Sequence, residues 1–187
     1  MSDFNVFFRM GFDHLTDPGG LDHILFLICL ASVFAPREWK RLLVLATAFT
    51  IGHSVSLAVT VLWKLILDGD LVEQLIPLTI IATALVNLVR PVRNEKKNVS
   101  YLLALGFGVI HGFGFAGYLR SMLLGIREDL VTPLLYFNIG LEAAQILLLL
   151  LYLPLAWLAL NVIRVPQVWW ARVLNIGILL ASVYLFV

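Results

Sequence analysis

The stretch Val131-Thr-Pro-Leu-Leu-Tyr-Phe-Asn-Ile-Gly140-Leu-Glu142-Ala-Ala-Gln-Ile-Leu-Leu-Leu-Leu-Leu151-Tyr-Leu-Pro154-Leu-Ala-Trp-Leu-Ala-Leu160 decides the fold. One ionisable residue, Glu142, stands in a run longer than the roughly 20 apolar residues that cross a bilayer as a helix. Pro154 predicts a kink or a helix end near it. Working outward, five more apolar runs lie at 20–35, 41–67, 71–90, 99–119 and 168–187, making six candidate spans with 131–160. The first is short and depends on tilt or on packing against its neighbours. The connections are too short for a soluble domain, so residues 1–187 form a single transmembrane domain. The expected fold is all-α: a polytopic membrane protein, a bundle of about six transmembrane helices. The segment 1–13, with Phe4, Phe7, Phe8 and Phe12, predicts a short N-terminal interfacial helix on the outer face.

Composition agrees. Hydrophobic residues make up 61% of the chain and charged ones 13%, with a mean hydropathy of +0.96. A soluble domain cannot hide that much apolar surface. A net charge of +1 leaves no electrostatic footprint for nucleic acid. The single cysteine, Cys29, excludes an intramolecular disulfide and a multi-cysteine zinc site, and reads as a small buried hydrophobe. The opening Met1-Ser-Asp-Phe-Asn-Val-Phe-Phe-Arg-Met10 has no basic n-region, so no cleaved signal is expected. Trp39, Trp63, Trp169 and Trp170 near span ends read as interfacial anchors.

Charge sets the orientation. Arg37, Lys40, Arg41, Arg90, Arg93, Lys96, Lys97, Arg164 and Arg172 fall on one side, and most acidic residues, Asp17, Asp22, Asp68, Asp70, Glu73, Glu128 and Asp129 among them, on the other. The positive-inside rule then places both termini outside the cytoplasm, in a bacterial inner membrane.

Against this apolar background the ionisable groups stand out. His53 lies 12 residues from Arg41 and His111 12 residues from Val99, each about 18 Å up from the inner side. Glu142 lies 11 residues below Val131, about 16 Å down from the outer side. The three share a level near the midplane, with Asp22 and His23 above them and His14 at the outer lip. An isolated membrane histidine can be a plain interhelical hydrogen bond. A coincident set beside a carboxylate must satisfy its members mutually and reads as a functional site. Thr50 and Ser54 flank His53 and are expected to orient its ring, and Asn138 and Gln145 share a helical stripe with Glu142. Gly108 and Gly112 flank His111, predicting a tight helix crossing with room for an ion.

Imidazole and carboxylate donors suit a divalent first-row metal ion such as Ni, Co or Zn. Few sulfur donors argue against Cu(I), and Mg²⁺ or Ca²⁺ asks for more oxygens. A proton relay uses the same residues without a metal.

Taken in order, Gly11-Phe-Asp-His14, Gly20-Leu-Asp22-His23-Ile-Leu-Phe26, Phe49-Thr-Ile-Gly-His53-Ser54, His111-Gly112-Phe-Gly114-Phe-Ala116 and Phe137-Asn138-Ile-Gly140-Leu-Glu142 resemble the HupE/UreJ family of hydrogenase- and urease-associated membrane proteins. The resemblance runs over nearly the whole chain and implies a nickel/cobalt permease. It marks His14, Asp22, His23, His53, His111 and Glu142 as metal-handling positions. The stretch Leu15–Leu21 is longer than the compact His-to-Asp-His spacing of nickel permeases, which makes His14 a secondary ligand.

Three functions remain open on the residues themselves: a permease, a hydrolase, and a metal sensor or storage site. A permease needs polar steps through both halves of the bilayer. Asp17, Asp22 and His23 supply the outer half, whereas the inner half offers only Thr47, Thr83, Asn87, Gln145 and Asn175. No inverted repeat is apparent, although three-plus-three spans permit one. An intramembrane zinc-dependent hydrolase acting on a lipid or peptide would instead hold the metal with His23, His53 and His111. Glu142 or Asp22 would then be the general base.

Overall fold

The structure is a computed structural model and describes residues 3–17, 20–65, 67–90, 97–123 and 130–186. Pro18 and Gly19, and Arg93, Lys96, Glu128 and Asp129, on which the orientation partly rests, lie outside the described residues.

Seven α-helices make up the described chain: α1 (Asp3–Thr16), α2 (Leu21–Ala31), α3 (Trp39–Trp63), α4 (Gly69–Val89), α5 (Lys97–Leu123), α6 (Val131–Trp157) and α7 (Gln167–Phe186). The chain is an integral membrane protein of the expected all-α class. Five of its helices, α3 to α7, are long and apolar enough to cross a membrane, and α2 is a shorter apolar helix. Local chemistry sets the boundaries. The 3₁₀ turn Pro36–Glu38 leads into α3, with Pro36 where a helix needs no N–H and the Glu38 carboxylate accepting from the Ala35 amide at 3.1 Å. Lys64 closes α3 in the left-handed region at φ 60°. The Asp68 carboxylate caps α4 by accepting from the Leu71 amide. The helix end expected near Pro154 falls at Trp157, where α6 loosens into a π turn at Leu158–Val162.

The exterior is greasy. Leu147, Leu150, Leu151 and Leu155 of α6 and Leu180 and Tyr184 of α7 are exposed, as helices facing lipid require. Inside lie two apolar clusters. One joins Phe26, Leu42, Leu45, Phe49, Leu149 and Tyr152, and the other joins Leu57, Val61, Leu119, Leu134, Phe137 and Leu141. The start of α3 thus meets the end of α6, and the end of α3 meets the start of α6. These two helices run antiparallel.

Helices α3 and α5 approach backbone to backbone. A Cβ at Gly52 would strike the Leu105 carbonyl, one at Gly108 the Phe49 carbonyl, and one at Gly112 the Ser56 hydroxyl and His53 carbonyl. The register advances together along both chains, so the pair is parallel. Small residues permit this approach, and dispersion between the backbones then holds it.

Where a helix lying on the outer face is expected at 1–13, the structure packs α1 lengthwise on α6. Phe7, Gly11 and Leu15 are buried in that interface. A Cβ at Gly11 would meet the Phe137 carbonyl, and one at Gly140 the Phe8 carbonyl. The Phe4 ring sits edge-on to Tyr136, 5.1 Å between centroids, so the starts of α1 and α6 lie together. Helix α2 leads to the other end of the bundle, where the Val33 carbonyl accepts from the side-chain amide of Gln167, the first residue of α7. In succession, α1 starts beside the start of α6 and α2 ends toward the start of α7.

Candidate metal centre

The break between α1 and α2 lies at the histidines. Gly20 closes the turn, its amide donating to the Asp17 carbonyl at 2.8 Å. A Cβ on Gly20 would strike the His14 carbonyl, so only glycine lets the start of α2 press against the end of α1. His14 and His23 are thereby brought to 4.7 Å between ring centroids. The long Leu15–Leu21 stretch does not carry His14 away from the site. Leu15 and Thr16 complete α1, and with the Gly20 amide bonded back to Asp17 His14 stays beside His23.

His53 of α3 lies 5.7 Å from His14 and 5.8 Å from His23, and His111 of α5 lies 5.2 Å from His23, ring to ring. Their potential ligand atoms fall into two groups, His14–His23–His53 and Asp22–His23–His111, each with its atoms within 4.8 Å of one another. His23, His53 and His111 are buried, and five imidazole nitrogens have no hydrogen-bond partner: His14 Nε2, His23 Nε2, both nitrogens of His53, and His111 Nδ1. A buried polar atom without a partner costs about 1–3 kcal/mol, and these nitrogens lie on four neighbouring rings where a cation can satisfy several of them. A cation bound by imidazole lone pairs meets that need. The buried His/Asp groups can hold a metal ion.

Neighbouring bonds fix which nitrogens point inward. His23 Nδ1 lies 2.9 Å from the Asp22 carboxylate, which also accepts from the His23 amide at 2.9 Å. A proton on Nδ1 leaves the lone pair of Nε2 free. The Thr79 hydroxyl donates to the Ile76 carbonyl at 2.7 Å, so toward His111 Nε2, 3.1 Å away, it is an acceptor. His111 therefore carries its proton on Nε2 and presents Nδ1 as the ligand.

The walls are aromatic. Phe115 stands 4.0 Å from His14, Phe26 and Phe49 stand 5.3 and 5.2 Å from His111, and Phe137 is stacked 6.3 Å from His53. Such walls keep water out and strengthen every charge interaction inside. These phenylalanines and Thr79 escaped the reading of the sequence. The available signal was spacing, because Phe26, Phe49 and Phe115 lie three or four residues from His23, His53 and His111 on the same helix face.

Other expected members stand apart. Glu142 is in neither group. Its Oε1 accepts from the Thr47 hydroxyl at 2.6 Å, and its Oε2 has no partner. Depth read from the sequence sets Glu142 level with the histidines, but it sits at Thr47, about 9 Å along α3 from His53, and Phe137 is the α6 residue beside that ring. Thr50 donates to the Gln145 side chain at 2.9 Å and Ser54 to the Thr50 carbonyl at 2.6 Å, so neither orients the His53 ring. Asn138 Oδ1 is buried without a partner. Thr47, Thr50, Glu142 and Gln145 form a separate polar strip where α3 crosses α6.

No curated protein and no solved structure matches the chain. A family model described as HupE / UreJ protein matches residues 1–187, the whole length, and the chain belongs to that family.

Proposed function

We propose that the protein is a permease for a divalent first-row cation of the nickel/cobalt type, with the histidine cluster as its midway binding site. Imidazole-rich donors suit Ni²⁺, Co²⁺ and Zn²⁺, and family membership favours the first two.

One observation carries the choice of transport over hydrolysis. A series of buried polar side chains, thin in the sequence, begins at the cluster and supports a route through the inner half. His111 bonds to Thr79, Thr83 donates to the Thr79 carbonyl at 2.7 Å, and Asn87 follows one turn further along α4. Asn87 donates to the Asn175 side chain at 3.1 Å and to the Cys29 carbonyl at 2.9 Å, while Asn175 donates to the Ser32 hydroxyl at 2.7 Å. All six side chains beyond His111 are buried. From Thr79 to Asn87 this spans about 12 Å along the helix, most of an inner leaflet. Cys29, expected to be an apolar filler, belongs to this network, its thiol 3.2 Å from Asn175 Oδ1. A hydrolase gains nothing from such a line. Its candidate bases are also poorly placed, since Glu142 is outside both groups and Asp22 is engaged by His23.

With both termini outside, α1 and α2 form one discontinuous span whose break supplies the site. Transporters use such breaks because irregular backbone is tolerated in a membrane where it lines a polar site.

Purified protein in proteoliposomes is expected to accumulate radioactive nickel or cobalt. Asn87→Leu is expected to keep metal binding but to cut uptake at least about ten-fold, since about 1.4 kcal/mol added to the barrier at one step suffices. Tight binding without flux in the unsubstituted protein would refute the permease and favour the hydrolase.

A further inference from the structure

Two helix pairs in this bundle are built alike. Helix α3 carries Phe49-Thr-Ile-Gly52-His53 and α6 carries Phe137-Asn-Ile-Gly140-Leu141. Helix α5 carries Gly108-Val-Ile-His111 and α1 carries Gly11-Phe-Asp-His14. The contacts repeat with the residues. Gly108 faces the carbonyl of Phe49 and the amide of His53, and Gly11 faces the carbonyl of Phe137 and the amide of Leu141. Gly52 faces Leu105 and Val109, and Gly140 faces Phe8 and Phe12. His111 leans on the Phe49 ring at 5.2 Å, and His14 on the Phe137 ring at 5.9 Å.

The correspondence extends further. Helix α4 follows α3 and α7 follows α6, and α4 and α7 pack against each other. Because α3 and α6 run antiparallel, the unit α6–α7–α1 repeats α3–α4–α5 in inverted sense, except that α4 packs on α5 whereas α7 and α1 do not touch among the described residues. The unit α6–α7–α1 takes its third helix from the N-terminus, which hides the repeat from a linear reading. Helix α2 has no counterpart. It brings His23 between the equivalent histidines, 4.7 Å from His14 and 5.2 Å from His111.

We infer that the chain is an inverted repeat holding two adjacent cation positions that share His23, one completed by His14 and His53 and the other by Asp22 and His111. The proposal rests on the metal-permease reading for the nature of the ligand. Each position offers three protein donors, leaving coordination open for water and for exchange. The first position adjoins α1, which leads to the outer end. The second contains His111, where the polar line through Thr79 begins. His23 is the common ligand by which an ion passes from one to the other, and rocking of one inverted unit against the other supplies the motion.

Cobalt binding to the full-length protein in detergent tests this without reference to flux, reading affinity by equilibrium dialysis and ligand field by visible absorption. His14→Ala and His111→Ala are each expected to retain one Co²⁺, with affinity lowered no more than about 100-fold and with spectra that differ from each other. The double variant is expected to lose binding. His14→Gln and His111→Gln, together with thermal unfolding of the metal-free proteins, separate ligand loss from misfolding. If either single substitution in correctly folded protein abolishes binding as fully as the pair, or if the two spectra coincide, there is one undivided site and the inference fails. Failure of the unsubstituted protein to bind Co²⁺ overturns the metal reading itself, and binding as expected without transport overturns only the permease.

Discussion

His23→Ala is expected to abolish divalent-metal binding, the largest effect of any single substitution in this protein. His23 is the residue common to both ligand groups, so its removal leaves no three-donor set within reach of an ion. Loss of a residue that merely supports a ligand costs about 10–100-fold in affinity, and loss of the shared ligand should exceed that range. Asp22→Asn preserves shape and an acceptor oxygen but removes the charge that holds the His23 Nδ1 proton. It should fall within the range. Thermal unfolding with and without Co²⁺ separates this from damage to the fold. At a metal concentration of 100 times Kd, the unsubstituted protein gains about 2.7 kcal/mol, and His23→Ala should gain nothing. Its metal-free stability should change little, because the cavity left by the ring is offset by removal of a buried nitrogen that had no partner. A variant that still gained stability from cobalt would show that the ion sits elsewhere.

How much of this was legible in the residues depends on the physics each feature reports. Bilayer spans are long one-dimensional patterns, so the apolar runs and the all-α class could be read directly. Depth is also one-dimensional, at a fixed rise per residue, and it brought His53 and His111 to one level. Rotation about a helix axis is harder, because a few degrees per residue decide which face is buried. Glu142 misses the histidines along the axis as well: it meets Thr47, six residues before His53, whereas Phe137 is the α6 residue that stacks on the His53 ring. His14 was discounted on linear spacing, yet the turn through Gly20 restores it in three dimensions. The inverted units escaped notice because the matching segments are about five residues long and one has been moved to the opposite end of the chain. Only the glycine contacts make them visible. The inner polar line escaped for a related reason. Thr83, Asn87 and Asn175 are sparse along the chain and adjacent only after α2, α4 and α7 pack.

Those glycine contacts yield the other large expected effect. Gly106 and Gly108 lie two residues apart on α5 and point to different surroundings. A Cβ at Gly106 meets nothing within 4 Å, whereas one at Gly108 runs into the Phe49 carbonyl and the His53 amide nitrogen. Backbone cannot swing aside as a flexible side chain can, so Gly108→Ala must push α3 and α5 apart. A cost of about 1–3 kcal/mol is expected, as for overpacking of a tight core. Cobalt affinity should fall with it, because His53 and His111 ride on the two separated helices. Gly106→Ala should leave binding unchanged and add up to about 1 kcal/mol through helix propensity. The inverted relation carries the comparison to the other pair: Gly11→Ala and Gly140→Ala should cost as much as Gly108→Ala, although Gly11 belongs to a segment whose sequence suggests a surface helix. If α1 only rested on the outer face, Gly11→Ala would be as harmless as Gly106→Ala, and thermal unfolding of these four variants distinguishes the two arrangements. Equal tolerance at Gly11 and Gly106 would remove α1 from the bundle and with it the second inverted unit. A matched penalty at Gly11, Gly108 and Gly140 is what two equivalent backbone clamps around one cation site require.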